Sequence, residues 1–277
     1  MQGRIIKIIS NLYTVNAQGK NYECRARGIF RKDNITPMVG DNVEIDINEK
    51  VITEIHPRRN SLKRPVVSNV DSAVIVTSVK EPNLDLILLD KLISLISFND
   101  ITPIICFTKL DLLDNEEMES INKLKEYYEM IGIKVVYNTE VNKIKEIIKN
   151  DVVVLAGQTG AGKSSLINKL DSTKSLKTDE ISAALGRGKH TTRHVELYEI
   201  AGGYLVDTPG FSSLDVDEIP KLDLRHTFVE FENYQCRFSD CVHDKEIDCG
   251  IKDAVNQKLI LKSRYMNYIQ FLKEAKK

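Results

Sequence analysis

The run DVVVLAGQTGAGKSSLINKL, residues 151–170, constrains this chain more than any other stretch. The apolar block VVVLA reads as a buried strand, and SSLINKL reads as a helix. Between them, residues 157–165 match G-x-x-x-x-G-K-[ST], in the strand-turn-helix setting that the motif requires. Gly157, Gly160 and Gly162 let the backbone turn tightly. The N–H groups of that turn, which also contains Gln158, Thr159 and Ala161, then point inward with the helix N-terminus and cradle phosphate. Lys163 reaches the outer phosphates, and the Ser164 hydroxyl, followed by Ser165, is placed to ligate Mg²⁺. Such a turn belongs to an α/β sheet.

The surroundings agree. Strand-like SAVIVTS (72–78), TPIICFT (102–108), KVVYN (134–138) and GGYLVDTPG (202–210) alternate with helical patterns at 84–98, 115–132 and 141–149. That alternation predicts βαβ units and a parallel sheet. Residues 172–201, rich in Ser, Lys, Thr and Gly, read as one mobile loop. Residues 1–66 differ. Five short strand patterns separated by turn residues predict a small β-barrel of OB type, a common nucleic-acid platform. HPRRNSLKRP (56–65) reads as a basic linker whose Arg58, Arg59, Lys63 and Arg64 are available to phosphates. The expected domains are 1–66, 67–219 and 220–277.

Charge follows the same division. Residues 1–66 carry 12 Lys+Arg against 7 Asp+Glu, residues 67–219 carry 16 against 24, and residues 220–277 carry 11 against 9. Basic ends around an acidic middle suggest that the ends face a polyanion. No apolar run approaches the roughly 20 residues that span a bilayer, and the N-terminus lacks the pattern of a signal peptide. A cytoplasmic chain with no membrane partner is expected.

Two further strand ends carry chemistry. DTPGF (207–211) places Asp207 to hold Mg²⁺ and the Gly210 N–H to meet a γ-phosphate. FTKLD (107–111) resembles the guanine-reading N-K-x-D, with Thr108 in place of Asn, then Lys109, Leu110 and Asp111. Asp111 accepts from the N1 and N2 donors of guanine; adenine has neither, so a buried carboxylate there selects against it. Lys109 packs its stem over the base, and Asn138 and Thr139 are candidates for a further base contact. The base-reading motif precedes the phosphate turn, the reverse of the ordinary order, which implies a circular permutation. Inside the loop, GRGKHTTRHVEL (186–197) offers Thr191 or Thr192 as a Mg²⁺ ligand. Phe211 cannot orient a water, so His190 is the candidate catalytic group, as base or as positioner, with His194 as the alternative.

Near the C-terminus, CRFSDCVHDKEIDC (236–249) spaces Cys236, Cys241, His243 and Cys249 as C-x4-C-x-H-x5-C. Three thiolates and an imidazole suit a closed tetrahedral Zn²⁺ site, which would staple a segment too short for a large core. The helical pattern after it, residues 256–277, is amphipathic and basic. Cys24 and Cys106 read as core residues.

The ordered set of barrel, TKLD, GQTGAGKSS, GRGKHTT, DTPGF and Cys3His array resembles the circularly permuted, small-subunit-dependent ribosomal GTPases of the RsgA (YjeQ/YloQ) family. The resemblance covers the whole chain. It implies an OB-fold domain, a permuted GTPase domain that cycles between GTP and GDP, and a mostly helical zinc-binding domain. It implies hydrolysis stimulated by the small ribosomal subunit, contacts with its rRNA, a role in its late maturation, and a catalytic His in the loop of His190. A monomer is expected. Two other readings stand beside it: a nucleotide-switched RNA chaperone, and an ATP-using enzyme.

Overall fold

The computed structural model describes residues 1–28, 30, 35–63, 65–171, 195–207 and 216–276. The chain divides into two compact units. One comprises Met1–Val74, Thr139–Ala156 and Lys163–Phe211; the other comprises Ile75–Asn138, Gly157–Gly162 and Ser212–Lys277.

The first unit opens with the expected barrel. Strands β1 (Gln2–Ile9), β2 (Leu12–Ala17), β3 (Lys20–Ala26), β4 (Asn42–Asp46) and β5 (Val51–Ile55) close in the order β1-β2-β3-β5-β4. Alternation sends Ile5, Tyr13, Val15, Cys24, Val43, Ile45 and Ile52 into its core, as a period-2 pattern requires. A short parallel pairing of β3 with β5, Arg25 with Val51 and Ala26 with Ile52, closes it.

The basic segment after β5 does not behave as a linker. It holds a small hairpin, β6 (Ser61–Lys63) with β7 (Val66–Ser68). Arg58 and Arg59 are each paired with a carboxylate of the protein. The carboxylate of Asp41, fully buried, accepts from Arg58 Nε at 2.7 Å and Nη2 at 2.8 Å, from Ser68 Oγ at 2.6 Å and from the Met38 N–H at 2.7 Å. Arg59 donates to Asp71 at 2.7 Å, and the other oxygen of Asp71 accepts from the Val152 N–H at 2.8 Å. A buried carboxylate needs this much compensation. Arg64 lies outside the described residues.

Six strands form the second sheet: β8 (Ser72–Ser78), β9 (Thr102–Thr108), β10 (Lys134–Tyr137), β11 (Val152–Ala156), β12 (Leu197–Ile200) and β13 (Gly203–Asp207). Their order is β10-β9-β8-β11-β13-β12. The pairs β10–β9 and β11–β13 are parallel, and β8 and β11 are buried along their whole length, as parallel core strands are. One correction concerns 172–201. Its last residues form β12, antiparallel to β13 from Leu197↔Val206 to Ile200↔Gly203, so the sheet is mixed. Residues 172–194 lie outside the description.

The helices end where their caps dictate. Helix α1 (Leu86–Phe98) starts at Asp85, whose side chain accepts from the Leu88 N–H. Helix α2 (Asn115–Met130) starts with a capping box between Asp114 and Glu117. Two short helices, α3 (Val141–Ile148) and α4 (Lys163–Leu170), belong to the first unit. In the second unit a one-turn helix α5 (Lys221–Leu224) and several 3-10 turns precede α6 (Gly250–Asn256) and α7 (Lys262–Glu274). The C-terminal helical pattern is thus broken, with Lys258 at φ 61° in the break. Among the described residues, no helix is long and apolar enough to cross a membrane.

A buried ionic network organises the second unit. Arg264 of α7, 1% exposed, donates to Asp90 of α1 at 2.6 Å and to both oxygens of Glu230 at 2.6 and 2.8 Å. Tyr128 of α2 and Asn267 of α7 also donate to Asp90, at 2.8 and 2.7 Å. The guanidinium lies 4.7 Å from the Phe228 ring centroid. Around it Phe228, Phe231, Tyr268, Phe271 and Leu95 of α1 share one apolar core. The basic helix α7 therefore docks on the protein with its central arginine inside. Arg264→Met leaves two buried carboxylates without a cation, and we expect a loss of about 3–5 kcal/mol in stability by urea unfolding. A loss under about 1 kcal/mol, the range of an exposed pair, would contradict this.

Candidate nucleotide site and metal cluster

The phosphate turn begins where β11 ends. Gly157 has φ 127°, and a Cβ at that position would stand 2.1 Å from the Val76 carbonyl oxygen. Only glycine passes so close to β8. Gly160 and Gly162 have φ 80° and 95°. Thr159 and Gly160 are exposed at the tip, while Ala161 is fully buried. The turn delivers the chain into α4 at Lys163, so the N–H groups of Lys163, Ser164 and Ser165 are helix N-terminal donors. Ser164 is half-buried and Ser165 exposed.

The strand end that carries TKLD meets this turn. Thr108 closes β9 and is 1% exposed. Its hydroxyl donates to the Ala161 carbonyl at 2.6 Å across 53 residues of sequence. A Cβ on Gly162 would lie 3.8 Å from Thr108. Lys109 follows in the left-handed region at φ 61°, a conformation that a lysine holds only when its surroundings enforce it. Its ammonium donates to the Glu81 carbonyl. Leu110–Leu112 form one 3-10 turn, and this turn carries Asp111 out to solvent. Asp111 is thus exposed, where a buried carboxylate was expected. The Asn138 N–H donates to the Phe107 carbonyl at 3.0 Å, which sets Asn138 beside the end of β9.

Asp207 ends β13 with its backbone opposite Leu155. Its side chain, and His190, Thr191, Thr192, His194, Gly210 and Phe211, lie outside the described residues.

Sequence reasoning passed over Glu81 and Pro82. Pro82 would lie 3.7 Å from a Cβ on Gly160, and Glu81 anchors Lys109. The signal was present: EP follows the apolar strand SAVIVTS, at the same kind of strand end that carries TKLD.

Cys236, Cys241, His243 and Cys249 converge in the C-terminal segment, with all four ligand atoms within 4.8 Å of one another. Cys236 Sγ lies 3.7 Å from Cys249 Sγ, and His243 Nδ1 lies 3.3–3.4 Å from the three sulfurs. Thiolates at about 2.3 Å from a tetrahedral centre are separated by about 3.8 Å, so the residues fit a metal ion. The loop is staked in place. Tyr265 and Tyr268 donate to the carbonyls of His243 and Val242 at 2.8 and 2.7 Å. The Glu246 carboxylate accepts from the N–H groups of Val242 and Asp244 at 2.7 and 2.8 Å. Arg225 donates to the Ser239 carbonyl at 2.6 Å and to that of Cys241 at 3.1 Å. A Cβ on Gly250 would strike the Gln235 carbonyl oxygen at 2.2 Å, so the chain leaving Cys249 must be glycine. Burial pushes the Cys241 thiol up to about 12 and the His243 imidazole down to about 4.

A glycine turn at a parallel-strand end, met by the strand end TKLD that comes earlier in the chain, defines a P-loop nucleotide-binding protein of circularly permuted connectivity. The family model described as RsgA GTPase matches residues 55–217, and that of the RsgA N-terminal domain matches residues 2–52. The chain belongs to the RsgA GTPase family. It is 47% identical over 284 residues to the small ribosomal subunit biogenesis GTPase RsgA 1 of Listeria monocytogenes, covering 100% of this chain and 98% of the relative. It is 45% identical to RsgA of Bacillus pumilus over 99% of this chain and 97% of that one. Among solved structures, YjeQ from Thermotoga maritima superposes with a TM-score of 0.88 at 34% identity, over 99% and 97% of the two chains. YloQ, described as a circularly permuted GTPase, gives 0.85 at 37% identity, over 99% and 94%.

The metal cluster makes a pH prediction. An imidazole held down to about 4 is already neutral above pH 5 and releases no proton when it ligates. A thiol held up to about 12 must lose one. Metal affinity should therefore climb steadily between about pH 6 and 8 without an imidazole inflection. Competition with a chromophoric chelator measures it, and a flat profile would contradict it.

Proposed function

We propose that the chain hydrolyses GTP to GDP and phosphate on the small ribosomal subunit, contacts its rRNA and assists its late maturation. The observation that supports this reading is the bond between Thr108 and Ala161, which joins the TKLD segment to the glycine turn. The relatives' names supply the partner: they are small ribosomal subunit biogenesis GTPases.

In this reading the turn 157–162, Lys163 and Ser165 hold the phosphates. Thr108, Lys109, Leu110 and Asp111 read the base. Ser164, Asp207 and either Thr191 or Thr192 hold Mg²⁺, which neutralises charge on the β- and γ-phosphates when bound. The Gly210 N–H meets the γ-phosphate. A water oxygen attacks the γ-phosphorus, the bond to the β–γ bridging oxygen breaks, and GDP leaves. His190 positions the water or takes its proton; Phe211 can do neither. The cysteine and histidine cluster holds one structural Zn²⁺, because three thiolates and an imidazole leave no open position. The chain acts in the cytoplasm as a monomer, with 1–66 as the RNA-binding barrel, 67–219 as the GTPase domain and 220–277 as the zinc-binding domain.

Purified small subunits should raise the GTP turnover of the full chain at least about tenfold, a change of about 1.4 kcal/mol in barrier. His190→Ala should keep GTP binding and lose that acceleration. Equal rates with and without subunits would overturn the ribosomal reading, and full stimulated turnover in the variant would remove His190 from the mechanism.

A further inference from the structure

The barrel has a polar face that no step above uses. Register fixes where it lies. Arg4 of β1 stands opposite Asn16 of β2 on one side and Asn42 of β4 on the other. These are the strand ends remote from the β1–β2 and β4–β5 turns, the loops through which OB barrels commonly bind oligonucleotides. Here the barrel and Tyr204 of β13, within the same unit, line a cleft of about 490 Å³. That is in the range of ligand sites.

Its chemistry is specific. Arg4 Nε donates to Asn42 Oδ1 at 3.2 Å, which fixes the guanidinium. No other hydrogen bond occupies Arg4 among the described residues, so its terminal nitrogens remain for an acceptor. The guanidinium lies over the Tyr204 ring, its carbon 5.7 Å from the ring centroid, so the two side chains form one stacked pair. The Tyr204 hydroxyl likewise has no protein partner among the described residues, and burial raises its pKa and keeps it a donor. His56 Nε2 is buried without a hydrogen bond, 3.7 Å from Glu44 Oε1, while Glu44 Oε2 pairs with the Met1 amino group at 3.2 Å. Asn16 spends its amide N–H on Asn21 at 2.8 Å and keeps its carbonyl; Gln18 adds a second amide to the rim.

A guanidinium held by its Nε, with its terminal nitrogens left over, suits a phosphate. Amides that carry donor and acceptor together suit the edge of a base. An aromatic face suits its plane, whatever the base. We propose that this cleft binds one ribonucleotide unit, with its base packed on the Arg4–Tyr204 pair and its phosphate on the terminal nitrogens of Arg4. That the unit belongs to RNA rests on the ribosomal reading and on the basic excess of residues 1–66, 12 Lys+Arg against 7 Asp+Glu.

The test uses the full chain with its phosphate turn saturated by GDP. Fluorescence anisotropy follows a labelled single-stranded uridine octamer, and UMP is titrated separately. Arg4→Gln and Tyr204→Leu should each weaken octamer binding about tenfold, and Tyr204→Phe should retain most of it. Basal GTP hydrolysis, which neither residue serves, should stay at the wild-type rate and report intact folding. Octamer binding that drops in both variants supports the site with RNA as its source. UMP binding that drops in both, without octamer binding, supports the site with a free nucleotide as its source. Binding of neither probe, or binding equal in wild type and variants, overturns the proposal. Subunit stimulation of wild-type turnover, measured alongside, keeps the two readings apart: stimulation without binding of either probe sinks the cleft and leaves the ribosomal function standing.

Discussion

One hydrogen bond holds the nucleotide site in register: the Thr108 hydroxyl to the Ala161 carbonyl, 2.6 Å, between two residues with almost no exposure. Its net worth is about 1 kcal/mol. Its consequence is geometric. It fixes the end of β9, which carries TKLD, to the middle of the glycine turn, while the missing side chain of Gly157 lets the same turn lie on β8. Threonine serves here because the bond needs one short donor aimed at one carbonyl. The reversed chain order then costs nothing, since strand ends, not sequence order, place the groups.

The C-terminal segment is joined to the same machinery. Arg264 reaches α1, the helix after β8, through Asp90, and Asp90 also holds Tyr128 of α2, the helix after TKLD. Glu230, which precedes the cysteine cluster, closes the network. Burying three charges is expensive, and well-packed apolar residues often match such a network in stability. What the charges add is direction: each carboxylate accepts only where the guanidinium fork points.

Much of this was legible in the residues. The five barrel strands follow from alternation, and the phosphate turn from glycine spacing between a strand and a helix. The Cys3His cluster was legible because four ligands fall within 14 residues. What was not legible depends on distant partners. Arg58 and Arg59 look like linker cations until Asp41 and Asp71, 17 and 12 residues away, claim them. Arg264 and Asp90 are 174 residues apart; the available hint was an aspartate within the apolar face of LILLDKLISLISF. Strand β12 was missed because four residues, LYEI, with two buried, give alternation too little length to register. The exposure of Asp111 was hidden because a 3-10 turn after a left-handed lysine carries it outward.

The central claim is that the carboxylate of Asp111 reads guanine for the triphosphate held by the turn at 157–163. Competitive binding of GTP, ATP and xanthosine triphosphate to wild type and to Asp111→Asn tests it directly. Guanine offers two donors to a carboxylate, whereas xanthine puts a carbonyl where the second donor was, which an asparagine amide can meet. The wild type should prefer GTP by about 10³-fold or more, and the variant should lose GTP and gain the xanthosine nucleotide. A variant that still binds GTP as tightly as wild type would contradict the account.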